Sequence, residues 1–511
     1  MIMIIERSPE WEESFKERLE QQDNWDNWAL YKMTYEVEKA NLITEFTGLQ
    51  SPKYLPNLTP LAHQLDVAQT VIEKMNGKAI LADEVGLGKT IEAGLILKEY
   101  LIRGQVKKAL ILAPASLINQ WADELNNKFN IPAIPYKKKS SIEYIDIVVM
   151  SMDTAKKSPH KEQIYEQNYD MIIIDEAHKL KNHKTKIYEF VQSLKKKFCL
   201  LLTATPIQND VFELFYLISL LKPGHLGNFE VFQEAFSASK HDLDNDEFLK
   251  ELVNQVMVRN RRQDTGIEWS NRKVQNISIQ FTEKEREVYD MILQLKDVSP
   301  VFSGSFSMIT LQKEMCSSKE ATCLTLENMI QNSNDEEGLE FVHKLMEKLM
   351  SLEINSKAEK TYEIISEAND KVIIFTEYRA SQIYLQWFLH TKGIKSVLFN
   401  GKFNKSKRDY MKHLFKEQAQ VLIATEAGGE GINLQFCHHV INYDLPWNPM
   451  KLEQRIGRVH RLGQEHDVQI YNLAIANTIE QNILDLLQTK IDVFEKVVGE
   501  LDEILAFKKS I

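Results

Sequence analysis

Cysteine is scarce in this 511-residue chain. Only Cys199, Cys316, Cys323 and Cys437 are present, and no two of them form a CxxC pair. That pattern argues against a disulfide frame or a thiolate metal site and fits reduced thiols in a cytosolic protein. No apolar run reaches the roughly 20 residues that a membrane helix needs. The start, Met1-Ile2-Met3-Ile4-Ile5-Glu6, has no basic lead and no small-residue cleavage site, so no secretory signal is expected. Short repeats are missing too. So is a surplus of positive charge: the formal net charge is −11, which argues against a basic coat that would hold nucleic acid non-specifically. The first 50 residues hold 11 acidic and 5 basic side chains, so most of the excess sits there. A basic track confined to a cleft remains compatible with this balance.

The rest of the composition, 43% hydrophobic and 26% charged, is that of a globular protein with room for two or three domains. Residues 1–57 are acidic and aromatic. Trp11, Trp25, Trp28, Tyr31 and Tyr35 recur at helical spacings and are expected in a core. Short apolar runs at Ala109–Ala113, Ile145–Met150, Met171–Asp175 and Leu200–Thr203 alternate with helical stretches and predict a buried parallel sheet. A second series follows at Lys371–Thr376, Ser396–Phe399, Val421–Thr425, Val440–Asp444 and Val468–Leu473. The fold class is therefore α/β, with two parallel-sheet lobes, helical protrusions and an N-terminal helical segment. The boundaries read as 1–57, 58–263 for the first lobe, 264–360 for a helical insertion and inter-lobe connection, 361–476 for the second lobe and 477–511 for a bracing helix. Residues 207–360 are expected to be mostly helical and poor in strands. The lysine runs 137–139 and 195–197 read as solvated faces.

The stretch Asp83-Glu84-Val85-Gly86-Leu87-Gly88-Lys89-Thr90 follows a predicted strand and opens a predicted helix, which is the context of a phosphate-binding loop. Gly86 and Gly88 let the backbone approach phosphate, and N–H groups at the helix start point at the anion. Lys89 can reach the outer phosphates of ATP, and Thr90 can ligate Mg²⁺. Asp83 stands where the general pattern has glycine. Asp175-Glu176-Ala177-His178 closes a strand at the same predicted sheet edge. Asp175 suits Mg²⁺, and Glu176 suits orienting and deprotonating a water. Alone, such a pair could equally cap a helix. Thr203-Ala204-Thr205-Pro206 ends the next strand and could relay the state of the γ-phosphate, or be a plain strand exit. In Gln454-Arg455-Ile456-Gly457-Arg458-Val459-His460-Arg461, the spacing of three puts Arg458 and Arg461 on one helix face. Guanidinium groups there would neutralise charge on a transferring phosphoryl group, the alternative being an exposed basic helix.

Taken in order, LAHQ (61–64), DEVGLGKT (83–90), LAPASLINQW (112–121), DEAH (175–178), LTATPIQND (202–210), ATEAGGEGINLQ (424–435), YDLPWNP (443–449) and QRIGRVHRLGQ (454–464) resemble the Swi/Snf-type ATPases of superfamily 2. The bacterial branch that includes the RNA-polymerase-recycling ATPase is the most similar. The resemblance covers about residues 58–490, and the endings PIQND and HRLGQ are more specific than the phosphate loop. It implies two RecA-like lobes that close on ATP and Mg²⁺ between them and on double-stranded DNA across them. It implies that Gln64 reads adenine and that Gln454 lies near the nucleotide. It also implies that Arg458 and Arg461 are arginine fingers. Ser116, Gln120 and Trp121 in the first lobe, and Thr425, Asn433 and Trp447 in the second, fall where the family meets the DNA backbone. Trp121 reads more readily as core and Trp447 as contact. Val258-Arg259-Asn260-Arg261-Arg262 resembles the basic stretch that ends the family's first lobe, and it could serve DNA, the inter-lobe interface or a solvated linker.

The resemblance has limits. Accessory readers of histone tails and a zinc module are absent, and the chain lacks room for the flanking domains of the polymerase-recycling ATPase, which puts RNA polymerase binding in doubt. The expectation is a cytoplasmic, nucleoid-associated monomer that hydrolyses ATP while moving on duplex DNA. A strand-separating helicase on DNA or RNA, or an ATP-switched scaffold in a repair or defence complex, are the alternatives.

Overall fold

Two parallel β-sheets organise the protein, described by a computed structural model over residues 28–41, 48–136, 142–207, 211–236, 243–298, 305–332, 335–401, 403, 405–426, 432–497 and 504–505. The first sheet holds β1 (Lys78–Leu81), β2 (Ala109–Ala113), β3 (Ala133–Pro135), β4 (Ile147–Ser151), β5 (Met171–Asp175), β6 (Phe198–Leu202) and β7 (Met257–Val258), in the order β3-β4-β2-β5-β6-β1-β7. The second holds β8 (Arg272–Ile279), β9 (Val372–Thr376), β10 (Ser396–Phe399), β11 (Val421–Thr425), β12 (His439–Asn442) and β13 (Val468–Ile475), in the order β10-β11-β9-β12-β13-β8. The described strand pairs are parallel throughout. Central strands such as β2, β4, β6 and β9 are buried along their whole length, which is why they read as unbroken apolar runs.

The order places β5, β6 and β1 side by side. The phosphate loop, Asp175-Glu176 and Thr203-Ala204 therefore leave the sheet at one edge. The phosphate loop turns through left-handed glycines, Gly86 at φ 97° and Gly88 at φ 100°, a region open to glycine at little cost. Gly88 then caps the helix Lys89–Ile102.

The region 207–360 departs from its expected lack of strands. β7 and the eight-residue β8 lie within it, and β8 joins the second sheet along its full length beside β13. Its sequence, RKVQNISI, is mostly polar because it is an edge strand with only partial burial. The helices Glu283–Val298, Glu336–Met350 and Ser356–Ala368 send Val288, Ile292, Val342, Leu345 and Ile365 into the same buried cluster as β9, β11, β12 and β13. The helix Ile479–Val497 contributes Ile483, Leu487 and Ile491 to that cluster, while Phe494 on it and Met450 enter the core of the first sheet.

Residues 1–48 form a separate unit. Its described helix, Trp28–Asn41, exposes Trp28, Tyr31 and Tyr35, so the expectation that these aromatics are core is corrected. Their spacing of three stacks Trp28 on Tyr31 along the helix surface, with ring centroids 5.2 Å apart. Trp11, Trp25, Lys137–Lys139, Gln208-Asn209-Asp210 and Ala427–Gly431 lie outside the described residues. Among the described residues no helix is long and apolar enough to cross a membrane.

Candidate active site

The edges of the two sheets enclose a cavity of about 320 Å³. From the first sheet it is lined by Gly86, Gly88, Lys89, Thr90, Asp175, Glu176, Thr203 and Ala204; from the second side come Gln454, Arg458 and Arg461. Residues from Val85 to Arg461, far apart in the chain, thus meet around one space.

Lys89 Nζ donates to the carbonyls of Asp83 (2.5 Å) and Glu84 (3.3 Å), which holds the ammonium across the mouth of the phosphate loop. Gln64 sits behind the loop. Its amide donates to Leu87 O at 2.9 Å, and its carbonyl accepts from Leu61 N at 3.0 Å. It does not line the cavity. Gly88 is held to glycine by its φ, and a Cβ there would also displace the Gln64 amide nitrogen, 2.5 Å away.

Trp121 is 2% exposed, and its indole N–H donates to Asp175 Oδ2 at 2.8 Å. This burial fits the weighing of Trp121 toward core. A bulky aromatic with one N–H is used here as a buried orienting group for a carboxylate. The backbone N–H of Glu176 holds the other oxygen of Asp175 at 2.9 Å. Withdrawal from solvent, together with the nearby Glu176 charge, raises the Asp175 carboxyl to about 6, against the hydrogen bond from Trp121. Glu176 has a left-handed backbone, φ 51°, an uncommon setting for a side chain of its kind. Burial works against its charge, but His178, Arg458 and Lys89 outweigh it and hold its carboxyl below the ordinary range. His178 Nδ1 lies 3.3 Å from Glu176 Oε2. The two neighbouring carboxyls are thereby driven in opposite directions. Thr205 N donates to Thr203 Oγ1 at 3.0 Å, which fixes the turn beside them.

Arg458 and Arg461 line the cavity together, but not from a helix face as expected. The helix Pro449–Ile456 ends before them, and its ladder tightens into short turns at Arg458 N to Arg455 O and Val459 N to Ile456 O. Arg461 is braced by its Nε donating to Gly457 O at 2.7 Å, and burial followed by the Arg458 charge lowers its guanidinium to about 10. The Gln464 amide ties this segment down by donating to the carbonyls of Gln435, Cys437 and Val459. The sheets are already close: a Cβ on Gly457 would lie 2.4 Å from Val85 Cγ1 of the phosphate loop.

The basic stretch 258–262 belongs to the inter-lobe interface. Asp83, the residue at the usual glycine place, accepts from Asn260 N (2.8 Å) and Asn260 Nδ2 (3.1 Å). Glu84 Oε2 accepts from Arg262 N at 3.0 Å. Arg262 Nη2 donates to Val85 O (2.5 Å) and to Glu453 Oε1 (3.2 Å), so one guanidinium joins the phosphate loop to the helix that precedes Arg458. Arg272, at the start of β8, also grips Glu453, at 2.6 and 2.9 Å, and donates to His460 Nδ1 at 2.9 Å. Burial opposes charge on Glu453, yet Arg272 and Arg262 hold its carboxyl down to about 2. Glu92, fully buried beside Asp83, is pushed well above the carboxylate range, first by burial and then by the Asp83 charge. No single motif disclosed this network.

A second, wider cleft of about 890 Å³ runs between the sheets. Ser116, Gln120, Lys128 and Lys179 line one wall, and Phe399, Arg408, Lys412 and Ile432 line the other. Gln120, Glu124 and Lys128, all on the helix Ile118–Phe129, border both this cleft and the smaller cavity. Trp121 on the same helix reaches Asp175. Of the residues expected on DNA, Ser116 and Gln120 line the cleft, while Thr425, Asn433 and Trp447 are not among its lining residues. Asn433 is exposed and bonded to Gln435, and Trp447 is 38% exposed with Lys313 Nζ 5.4 Å from its ring centre.

The chain is similar to known proteins. The family described as the SNF2-related domain matches residues 63–350, and the helicase conserved C-terminal domain matches residues 356–463. The chain is 59% identical over 498 residues to a protein of Bacillus subtilis (strain 168) named "Uncharacterized ATP-dependent helicase YqhH", covering 97% of this chain and 89% of that one. Among solved structures it is similar to the Sulfolobus solfataricus SWI2/SNF2 ATPase core in complex with dsDNA, at 24% identity and a TM-score of 0.44 over 88% of this chain and 95% of that one. The core domain of the same protein matches at 24% identity and a TM-score of 0.42, over 90% and 94% of the two chains.

Proposed function

Because the chain belongs to the SNF2-related family of ATP hydrolases, we propose that it is a duplex-DNA-dependent motor, which closes its two sheets on ATP and moves along DNA without separating the strands. The observation that carries this reading is the helix Ile118–Phe129. It borders the wide cleft through Gln120 and holds the catalytic carboxylate Asp175 through Trp121.

In this reading the wide cleft takes the DNA backbone. Ser116 and Gln120 donate to phosphate from one wall and Arg408 and Lys412 from the other, contacts that position without reading sequence. A motor needs such contacts because it must leave each site as readily as it enters. Thr425, Asn433 and Trp447, which lie outside the cleft lining, are kept in this reading as contacts with the DNA backbone on the second-lobe side.

ATP is bound with its phosphates on the loop Gly86–Lys89, Gln64 supports the loop beneath the base, and Gln454 flanks the nucleotide. Thr90 and Asp175 suit Mg²⁺, since both open on the cavity and Asp175 is an oxygen donor fixed by two hydrogen bonds. The ion, when bound, neutralises charge on the phosphate oxygens. Glu176, held ionised, accepts a proton from the water that attacks the γ-phosphorus. The bond to the bridging oxygen of ADP breaks, and ADP and phosphate leave. Arg458 and Arg461 stabilise the spreading charge. Fingers of this kind contribute about 10³–10⁵ in rate. DNA binding favours the closed arrangement, hydrolysis releases it, and each cycle ratchets the protein along one strand, displacing bound protein complexes such as RNA polymerase.

The test is steady-state ATP hydrolysis with no nucleic acid, single-stranded DNA, duplex DNA and duplex RNA, with Glu176→Gln as the blank. Stimulation by duplex DNA alone is expected. Equal or greater stimulation by single strands or RNA would replace this reading with a strand-separating helicase.

A further inference from the structure

At the end of the second sheet opposite the nucleotide cavity, three histidines and an aspartate meet. Asp370 stands two residues before β9, His439 opens β12 and His466 stands two residues before β13. Because β12 pairs with both β9 and β13, with His439 opposite Val372 and Gln469, these strand starts lie side by side. One ligand atom each from Asp370, His438 and His439 falls within 4.8 Å of the others. His438 Nε2 is 3.8 Å from Asp370 Oδ2, too far for a hydrogen bond. The His438 ring centre lies 4.5 Å from that of His439 and 4.9 Å from that of His466. His438, His439 and His466 also line one cavity of about 420 Å³.

His439 is 8% exposed, and its buried Nδ1 has no hydrogen-bond partner. A histidine kept only for packing normally satisfies such an atom. Asp370 uses Oδ1 on the backbone N–H of Lys371, which leaves Oδ2 facing His438. Cys437 is adjacent, but its thiol is turned to the carbonyls of Lys371 and His439, so it is not a donor here.

We propose that Asp370, His438 and His439, with His466 as a fourth donor, bind a divalent transition cation of the zinc class. Imidazole and carboxylate are the ligand types that such an ion prefers. At bond lengths of about 2.0–2.1 Å, tetrahedral ligand atoms stand about 3.3 Å apart, a modest side-chain contraction for Asp370, His438 and His439, while His466, its ring centre 4.9 Å from that of His438, must turn toward the ion. A cation here clips the starts of β9, β12 and β13 and stabilises the second lobe by binding the folded chain. The site is separate from the nucleotide cavity, whose second-lobe residues follow the other end of β12.

The test uses the full chain, stripped of metal by a chelator and kept in excess Mg²⁺ to occupy the nucleotide-site carboxylates. Co²⁺ serves as the spectroscopic probe and Zn²⁺ as its competitor. The expected result is one equivalent of Co²⁺ with the intense visible bands of four-coordinate cobalt, displaced by one equivalent of Zn²⁺, and a higher thermal midpoint with Zn²⁺. Asp370→Asn and His438→Gln each weaken binding at least tenfold; Asp370→Asn, at an exposed side chain, leaves the metal-free midpoint unchanged, and His438→Gln, at a mostly buried one, is compared with its own metal-free midpoint. The absence of stoichiometric Co²⁺ bands from the unaltered chain would overturn the proposal. So would unchanged binding in both variants.

Discussion

Arg262 and Glu453, 191 positions apart in the chain, meet at 3.2 Å between the two sheets, and the same guanidinium donates to the phosphate-loop carbonyl of Val85. One buried side chain thus links the arginine segment to the glycine loop 83–90. Removing one partner of a buried ion pair costs about 3–5 kcal/mol, because the other charge is left without compensation. Glu453→Gln keeps the shape and deprives both Arg262 and Arg272 of a carboxylate. The expected outcome is a destabilisation on the order of 3 kcal/mol by chemical denaturation and at least a tenfold loss of kcat for ATP. Unchanged kcat would show that the contact holds the lobes without serving catalysis.

The same carboxylate predicts a pH dependence. Its folded value of about 2 lies below its ordinary 4.5, so the folded state favours the charged form. The stability it contributes is whole above about pH 4.5 and is lost as the pH falls through about 2. Denaturation midpoints of the unaltered chain and of Glu453→Gln should therefore differ by a constant amount from pH 7 to about 5 and converge in more acidic solution. A gap that closes instead between pH 6 and 8 would implicate a different group.

Trp121 offers a cleaner catalytic test. Trp121→Phe keeps an aromatic ring in the core and removes the N–H that orients Asp175, together with part of the buried ring volume, so its stability is measured beside its turnover. A single buried hydrogen bond to a charged group is worth about 1.5–3 kcal/mol. The expected result is a tenfold or greater fall in kcat with Mg²⁺–ATP and a midpoint shifted by a few degrees at most. Full activity would mean that Asp175 needs no indole support.

How far the sequence foretold this arrangement depends on how local each signal was. β2, β5, β10 and β11 are continuous apolar runs with the bounds their residues predict, and the phosphate loop, Asp175-Glu176 and the Arg458–Arg461 segment are contiguous words. β8 was hidden because an edge strand carries polar residues on its open side, and RKVQNISI has no helical or alternating stripe strong enough to mark it. Arg262, Arg272 and Glu453 were hidden for another reason: their pairing depends on how two lobes meet, and each alone is an ordinary charge. Arg458 and Arg461 did reach one cavity, yet the helix implied by their spacing ends at Ile456, where packing of Val85 against Gly457 governs the local path. Trp121 was weighed rightly as core, but its indole N–H found a role that hydrophobicity does not encode.

The contact between Val85 and Gly457 allows the closing of the sheets to be tested without touching a catalytic group. Gly457 has φ −63°, which alanine adopts freely, so Gly457→Ala brings no backbone strain. Its new Cβ would stand 2.4 Å from Val85 Cγ1 and force the phosphate loop and the arginine segment apart. Overpacking of this kind costs about 1–3 kcal/mol, here directed against the closed arrangement. ATP turnover should fall at least tenfold while the secondary structure persists. Val85→Ala removes the opposing methyl groups but leaves its Cβ 3.0 Å from the new one, so it should restore part of the lost rate in the double variant, although alone it changes turnover little. Two contacting residues should thus show a large non-additive term in a double-mutant cycle. If the two effects merely add, the approach of Gly457 to Val85 does not limit catalysis, and closure must be governed elsewhere in the interface.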